Sequence, residues 1–418
     1  MIFKDRNILY FSIAGFIALF GFGFVVPFLP LHARNLGATN FEIGLLLTAV
    51  ELTSAFVVLP LGLLADGLGR KKFACAGFAL FSLMPLTYAV ARSPWMLIGM
   101  RCIQGISEAL FFTTGTAYIA EIAKKKGSAI GAYNSLTNIG LVPSPLIGGM
   151  LIPIFGIQKV FLLGAIIIFL GFLVSLPAEG DVPSHKRTFS IHFQSIKNPD
   201  VYLLSILGVF SAITIGFTMA FLQIFFYEME PSEAVAGYAT TTYFFGLSAS
   251  MFLAGYLADI FGRWKTTIFG FMFGGFGFFC IFFSDNIFLA GFSIFIIGIA
   301  QSFSSIPVAT KIADISLGGT GESLGLASIF RLSAVALSAA FGGALSQFIG
   351  IKAVFLLCGA VMLAGSVAAI FMAQKIENSQ KKTMGFFLLK IIIFILHTFK
   401  IENLFIKSNK KYLLSYIK

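Results

Sequence analysis

The sequence predicts an all-α membrane protein, with twelve transmembrane helices in two pseudo-symmetric six-helix bundles followed by a C-terminal interfacial tail. Three observations predict this class: 58% of the 418 residues are hydrophobic, only 11% are charged, and the mean hydropathy is +0.93. Soluble domains carry roughly a quarter charged residues, so this composition excludes a soluble enzyme and a disordered chain. The four cysteines lie in apolar runs as small packing residues, which excludes a disulfide scaffold.

Twelve apolar stretches are long enough to cross the hydrocarbon core of a bilayer, which takes about 20 helical residues. They lie at 8–31, 41–64, 73–91, 95–119, 128–152, 159–177, 201–227, 234–258, 266–284, 287–313, 322–349 and 352–374. The first is too long for a cleaved signal peptide. The stretches predict a first bundle at 1–177, a cytoplasmic linker at 178–200, a second bundle at 201–374 and a basic amphipathic tail at 375–418.

The cations separate between alternate connections, fourteen in one set and four in the other. The first set is Lys4, Arg6, Arg70, Lys71, Lys72, Lys124, Lys125, Lys126, Lys186, Arg187, Lys197, Arg263, Lys265 and Lys311. The second set is Arg34, Arg92, Lys159 and Lys352. Because cytoplasmic loops are enriched in Lys and Arg, we expect a multi-pass protein of the cell membrane with both termini in the cytoplasm. The net charge of +11 therefore reflects topology, and no folded domain is present that would bind nucleic acid.

An internal repeat relates the two predicted bundles. The segment Gly-Leu-Leu-Ala-Asp-Gly-Leu-Gly-Arg-Lys-Lys at 62–72 returns as Gly-Tyr-Leu-Ala-Asp-Ile-Phe-Gly-Arg-Trp-Lys at 255–265, an offset of 193 residues. The same offset relates Glu108 to Gln301 and Glu121 to Asp314. Parallel repeats of this kind are typical of proteins with a substrate site at the interface of the halves, reached alternately from each side.

The repeated loop resembles the signature of the major facilitator superfamily, and the resemblance covers essentially all of 1–374. It implies a transporter that works by alternating access. It further implies a latch of the state open to the outside, built in this chain from Asp66, Arg70, Glu121, Asp259, Arg263 and Asp314. From the residues alone, the cations of these loops could also be simple anchors on the cytoplasmic side.

Three further stretches resemble the twelve-span drug/proton antiporter branch of this superfamily. They are the Gly-rich segment 21–30 with its two prolines, Arg-Cys-Ile-Gln-Gly at 101–105, and the antiporter motif of the fifth span. In this chain the antiporter motif comprises Gly131, Gly140, Pro145, Gly148 and Gly149. The chain departs from the motif at Ser144, where the family usually has glycine, and at the additional Pro143.

Few ionisable side chains lie deep within the predicted spans. They are Glu51, Glu108, Arg101 and Arg331. A charged side chain at that depth needs a partner or a water-filled cavity. Burial and the neighbouring Arg101 act on Glu108 in opposite senses, a balance suited to proton exchange near neutral pH. We therefore predict that Glu108 or Glu51 carries the proton and that Arg101 tunes it, with a structural ion pair of Glu51 as the alternative.

Aromatic and polar side chains on the spans predict the wall of a substrate cavity. The candidates are Phe20, Phe24, Gln104, Phe112, Asn134, Asn138, Phe217, Tyr243, Gln301 and Arg331. An adaptable aromatic cavity with a carboxylate suits lipophilic cations through stacking and cation–π contacts. Arg331 could instead gate the cavity, contact an anionic substrate or bridge two helices.

Proton-coupled efflux of small lipophilic or cationic compounds is the predicted function, with no catalytic residue. The alternatives are a proton symporter or facilitator for a specific solute such as a sugar or metabolite, and a receptor or scaffold that does not transport. The sequence contains no phosphate-binding Gly-x-x-x-x-Gly-Lys-Ser/Thr loop. His32, His185, His192 and His397 are scattered over predicted loops and the tail, so no metal site is expected. We expect a monomer without a cofactor, driven by a proton gradient, whose partners are protons, a small molecule and the lipid bilayer.

Overall fold

A computed structural model of the chain describes residues 5–123, 126–179, 198–315 and 320–398. Of residues 126–128, 320–322 and 376–398 it describes the backbone alone. The predicted cations Lys124 and Lys125, most of the predicted linker and the last 20 residues lie outside the described residues. The chain divides into two compact units, Met1–Ala368 and Ala369–Lys418. Both predicted bundles, apart from the end of the last span, belong to the first unit.

The first half contains six spans. Span 1 consists of helices Arg6–Gly23 and Leu29–Asn35, joined by the 3₁₀ turn Val26–Phe28. Spans 2 and 3 are helices Asn40–Leu68 and Arg70–Ala89. Span 4 consists of helix Pro94–Glu108, the π-helix Ala109–Thr114 and helix Gly115–Ile122. Span 5 consists of helices Lys126–Ile139 and Ser144–Phe155, and span 6 is helix Ile157–Ser175.

The second half repeats this order with fewer interruptions. Spans 7 to 11 are helices Pro199–Met229, Glu233–Phe261, Arg263–Phe282, Ile287–Ile315 and Thr320–Ile349. Span 12 is Ile351–Lys375, the first part of helix Ile351–Thr398, which continues into the segment predicted as the tail. Eleven of the twelve spans, within the described residues, are single stretches long and apolar enough to cross a membrane. The remaining one is span 4, which its π-helix divides into shorter helices. The predicted all-helical membrane fold is confirmed, and the predicted count of twelve spans is supported approximately, with eleven of them found by length and composition in the described residues.

The repeat is visible in equivalent contacts. Arg70 Nη1 donates to the carbonyl of Ala117 at 3.1 Å, and Arg263 Nη1 donates to the carbonyl of Thr310 at 2.6 Å. Each donor and each acceptor is shifted by 193 residues, the offset read from the sequence. Gly69 and Gly262 begin the helices that carry these arginines, with φ of +114° and +92°, a region that side chains disfavour.

The two halves meet most closely at one end of the bundle. We call the end with the loops at Arg70–Lys72 and Arg263–Lys265 the basic face, and the other end the opposite face. At the opposite face, Asn40 Nδ2 donates to Ser346 Oγ at 3.0 Å, between spans 2 and 11. Further into the bundle, Thr48 Oγ1 donates to the carbonyl of Ala336 at 2.6 Å. Spans 2 and 11 therefore form an antiparallel seam between the halves.

A second seam, between spans 5 and 8, is its repeat equivalent. Gly149 lies against the carbonyl of Glu233, and Gly343 lies against the carbonyl of Asn40, with no room for a side chain at either glycine. A salt bridge of 2.8 Å between Arg34 of span 1 and Glu228 of span 7 also joins the halves at this face. Gly131, near the basic face, has open space around it. These contacts close the opposite face.

Candidate functional site

A chain of polar side chains runs through the interior of the first half. Arg101 Nη1 donates to Gln104 Oε1 at 2.8 Å, and Gln104 Nε2 donates to Glu108 at 2.6 Å. The same Gln104 oxygen accepts a hydrogen bond from the hydroxyl of Tyr88. Arg101 Nε is held by the carbonyl of Leu46 on span 2 at 3.0 Å. Arg101 and Gln104 are buried, whereas Glu108 is partly exposed.

Helical spacing explains this arrangement. Residues three and four apart lie on one face of a helix, so positions 101, 104 and 108 form a single polar stripe on span 4. Gly105 leaves room for span 2, whose Val50 carbonyl lies against it, and Ser54 Oγ donates to the Gly105 carbonyl at 2.8 Å. This close approach brings the Leu46 carbonyl within reach of Arg101.

Glu51 and Arg331 occupy the inner end of the seam between spans 2 and 11. Continuing the antiparallel pairing of Thr48 with Ala336 by one turn brings Glu51 to the level of Arg331. Glu51 interacts electrostatically with Arg331 and with Arg101, and Glu108 interacts with Arg101 and with Glu51. Within the described ranges, the carboxylate of Glu51 has no cationic nitrogen closer than 4 Å, so it does not form a direct ion pair. The four deep charged groups of the sequence thus form one cluster across both halves.

The π-helix Ala109–Thr114 begins directly after Glu108. Gly77 of span 3 lies against the backbone of Leu110 and Phe111, at a place where a Cβ atom would be only 2.6 Å from the Phe111 nitrogen. Such single-turn insertions occur frequently at functional sites. The extra residue per turn changes the direction of the side chains that follow, including the exposed Phe112.

The remaining predicted cavity residues fall into two groups. Asn134 is exposed and Asn138 and Phe20 are partly exposed, with Asn138 Nδ2 donating to the Asn134 carbonyl at 2.7 Å. The others are buried: the ring of Phe24 lies 5.2 Å from that of Phe20 in a tilted arrangement, and Phe217 packs against Phe221 and Phe355. Tyr243 and Gln301 are also buried, and Gln301 Nε2 has no hydrogen-bond partner in the described part of the chain.

The predicted latch residues meet at the basic face. Arg70 pairs with Asp66 at 2.7 Å and with Glu121 at 3.6 Å. Its repeat equivalent Arg263 pairs with Asp314, and Asp259 is exposed. These contacts stay within one half in each case, joining the loop after span 2 or 8 to span 4 or 10.

Four of the five residues of the antiporter motif, all except Gly131, pack against span 1 or span 8. Gly140 lies against the backbone of Phe16 and Phe20, and Gly148 against Phe24. Pro145 is buried, and its carbonyl lies against Gly237 of span 8. The departure at Ser144 is accommodated, since its hydroxyl donates to the Gly140 carbonyl at 2.7 Å and faces Gly23. A residue larger than glycine at position 23 would collide with it.

The sequence did not predict three features of the structure. Tyr88 stands near the end of span 3 among apolar residues, and only the fold brings it to Gln104. His32 was expected in a loop, but it lies in helix Leu29–Asn35 and is buried. The expectation was wrong because Pro27 and Pro30 redirect span 1 without ending it. The salt bridge of Arg34 with Glu228 could have been anticipated from their opposite charges on one side of the membrane.

The fold defines a many-span membrane protein, with eleven stretches of the described residues long and apolar enough to cross a bilayer. Among the described residues, no group of His, Cys, Asp and Glu is arranged to hold a metal ion. The family model of the Major Facilitator Superfamily matches residues 11–227 and 204–406. The chain belongs to this superfamily.

Individual relatives agree with this assignment. The uncharacterized MFS-type transporter MJ1560 of Methanocaldococcus jannaschii is 26% identical over 361 residues, which cover 83% of this chain and 93% of the relative. The quinolone resistance protein NorA of Staphylococcus aureus is 32% identical over 197 residues, 46% of this chain and 49% of NorA. The chain thus matches about half the length of NorA.

Two solved structures share the fold. The nucleoside transporter NupG superposes with a TM-score of 0.73 at 12% identity, covering 88% of this chain and 98% of NupG. A bacterial homolog of the human lysosomal transporter Spinster, in an inward-facing and occupied conformation, superposes with a TM-score of 0.72 at 16% identity. It covers 90% of this chain and 96% of that structure.

Proposed function

We propose that this transporter exports small lipophilic or cationic compounds across the cell membrane in exchange for protons. The observation that carries the proposal is Glu108, a carboxylate at mid-span that is bonded to the neutral amide of Gln104 rather than directly to a cation. Such a group can gain and lose a proton without breaking an ion pair. The similarity of half the chain to a quinolone resistance protein supports export of a drug-like compound.

Alternating access supplies the mechanism. We assign the basic face to the cytoplasm because cytoplasmic loops are enriched in cations. Both termini are then cytoplasmic, and we assign the structure, closed at the opposite face, to the state open to the inside. The contacts of Arg70 with Asp66 and Glu121 are formed in this state, so in this assignment they stabilise the loop within its own half and are not confined to the state open to the outside. In that state Glu108 releases its proton to the cytoplasm and the substrate enters. Rocking of the halves then exposes the site to the outside, where the substrate leaves and Glu108 is protonated again.

The cluster of deep charges couples the two events. When Glu108 and Glu51 are ionised, their charges neutralise those of Arg101 and Arg331. A cationic substrate then binds to a cluster without net charge. Protonation of Glu108 leaves the cluster with excess positive charge, which expels the cation. Proton and substrate therefore compete, as antiport requires.

Efflux of a lipophilic cation in a host that lacks its own exporters tests the function. Cells expressing the chain and loaded with ethidium should lose the dye faster than cells with an empty vector. A protonophore should abolish the difference. Efflux that persists with the protonophore would contradict proton antiport. Absence of efflux for ethidium and for a panel of lipophilic compounds would favour a transporter of one specific solute.

A further inference from the structure

Span 5 is broken within the antiporter motif, and the break leaves a backbone amide that needs a partner from elsewhere. Helix Lys126–Ile139 ends before Gly140, and the next helix of the span begins at Ser144. The first amides of a helix have no carbonyl partner within that helix, and proline has no amide hydrogen. Pro145 is the second residue of the new helix, so Leu146 carries the next amide that the break leaves without a helical partner.

The second half of the protein supplies that partner. The amide of Leu146 donates to the side-chain oxygen of Thr241 on span 8 at 3.1 Å. One turn earlier on the same face of span 8, Gly237 lies so close to the Pro145 carbonyl that a Cβ atom would not fit. Two separate contacts therefore place this face of span 8 against the break in span 5, and both join residues of different halves.

Thr241 has a repeat equivalent in the other seam. Thr48 of span 2 precedes it by 193 residues, the offset of the repeat, and its hydroxyl donates to the Ala336 carbonyl of span 11 at 2.6 Å. Span 11 is the continuous helix Thr320–Ile349, whose interior carbonyls accept hydrogen bonds within the helix. Thr48 therefore adds a bond to a carbonyl of an intact helix, whereas Thr241 accepts a bond from an amide that the broken helix cannot satisfy.

The bond between Leu146 and Thr241 exists only while the opposite face is closed. Its two ends belong to different halves, so separation of the halves at this face breaks it and lets water bond to the amide instead. In a closed state without the Thr241 hydroxyl, the partly buried amide would face a side chain that accepts no hydrogen bond. A backbone amide without a partner is unfavourable. Loss of the hydroxyl should therefore raise the free energy of the closed state and leave the open state nearly unchanged.

We propose that Thr241 is a positioning residue that holds the opposite face closed, by capping the broken helix of span 5 from the second half. The proposal rests on the proposed function, because closure and opening of this face are steps of alternating access. A contact that forms in one state alone shifts the population toward that state. The break in span 5 thus makes the seam between spans 5 and 8 depend on one side chain of the partner half.

The distance between the halves at the opposite face tests the proposal. Spin labels at Asn35 and Glu230, both exposed, report this distance by pulsed electron resonance in a full-length protein whose four native cysteines are replaced by alanine. Thr241→Val keeps the shape of the side chain and removes its oxygen, so we expect the ratio of open to closed states to rise roughly fivefold or more. Thr241→Ser keeps the hydroxyl and should restore most of the wild-type ratio.

A matched control and a second variant keep the test decisive. Thr267 is a buried threonine of span 9 whose hydroxyl donates to the Arg263 carbonyl of its own helix at 2.9 Å, so Thr267→Val should leave the ratio unchanged. Thr241→Ala serves if Thr241→Val does not fold. A wild-type ratio in the variants that lack the Thr241 hydroxyl overturns the proposal, and so does an equal rise in Thr241→Ser or Thr267→Val. Proton-driven ethidium efflux by the wild-type protein is measured separately: its absence would contradict the proposed function, while the distances would still decide the role of Thr241.

Discussion

Gln104 is the centre of the candidate site at the scale of single residues. Its amide oxygen accepts from Arg101 and Tyr88, and its amide nitrogen donates to Glu108. An amide changes neither charge nor protonation, so it holds the carboxylate near the cation without fixing it as an ion pair. Glu108 can then exchange protons while Arg101 stays in place on the Leu46 carbonyl.

Replacing Gln104 by leucine should disable coupling. Arg101 and Glu108 would each lose a hydrogen bond that involves a charged group, and such bonds contribute about 1.5–3 kcal/mol each. We expect proton-driven efflux to fall at least about tenfold, which corresponds to about 1.4 kcal/mol. Gln223→Leu is the matched control, since Gln223 is a buried glutamine of span 7 that bonds to Thr240 at 3.1 Å. Equal losses of efflux in both variants, at equal protein levels, would contradict the role of Gln104.

At the scale of elements, span 4 differs from its repeat equivalent. Span 10 is one continuous helix, Ile287–Ile315, whereas span 4 contains the π-helix directly after Glu108. The interruption lies in the half that carries the carboxylate, while span 10 carries Gln301 at the equivalent position. The repeat has thus diverged into a half with a titratable carboxylate at this position and a half with a neutral amide there.

The contact of Gly77 with the π-helix gives a stability prediction. In Gly77→Ala the new Cβ atom would meet the backbone of Leu110 and Phe111, so the helices must separate. Overpacking of this kind costs about 1–3 kcal/mol, and we expect a lower melting temperature. Gly99→Ala is the control, because nothing lies within 4 Å of its new Cβ atom. An unchanged melting temperature in Gly77→Ala would show that the helices yield without cost.

The loop after span 2 gives a prediction about function. Arg70→Gln removes the bonds to Asp66, Glu121 and the Ala117 carbonyl, which join this loop to span 4. We expect ethidium efflux to fall by roughly tenfold, because partly buried charged networks contribute well over about 1 kcal/mol. Lys72→Gln removes an exposed cation of the same loop and should retain most of the efflux. If Arg70→Gln retained as much efflux as Lys72→Gln, Arg70 would act only as an anchor on the cytoplasmic side.

The whole molecule is closed at one face by seams that repeat across the halves. Gly149 against Glu233 and Gly343 against Asn40 are equivalent contacts, each with one partner in the first half and one in the second. Closure therefore depends on small residues that let backbones approach, as at other membrane helix interfaces. Opening must separate both seams together with the Arg34–Glu228 salt bridge.

A larger residue in a seam should hold the opposite face apart. We expect Gly149→Val, and likewise Gly343→Val, to slow efflux and to increase the distance between spin labels at Asn35 and Glu230, two exposed positions at the opposite face in the two halves, measured by pulsed electron resonance. Gly208→Val is the control, since a Cβ atom added at Gly208 of span 7 would meet nothing within 4 Å. Wild-type distances in both seam variants would mean that the seams do not control closure.

The sequence predicted the spans and the repeat because both depend on local composition and on spacing along the chain. It also identified the charged side chains deep within the spans, because charges at membrane depth are rare. These are Glu108, Glu51, Arg101 and Arg331. It did not predict the partnership of Tyr88 with Gln104, the burial of His32 or the π-helix. These depend on how neighbouring spans pack, as the contact of Gly77 with span 4 illustrates.

Transport of ethidium into proteoliposomes under an imposed pH gradient, with wild-type protein and with Glu108→Gln, shows whether Glu108 couples movement of the dye to movement of protons. The wild type should accumulate the dye against its gradient. Glu108→Gln should lose gradient-driven accumulation by at least about tenfold. Because glutamine resembles protonated Glu108, this variant should bind the dye more weakly but keep exchange of labelled for unlabelled dye at high dye concentration, without dependence on pH. Full gradient-driven accumulation by both Glu108→Gln and Glu51→Gln would show that neither carboxylate carries the coupled proton.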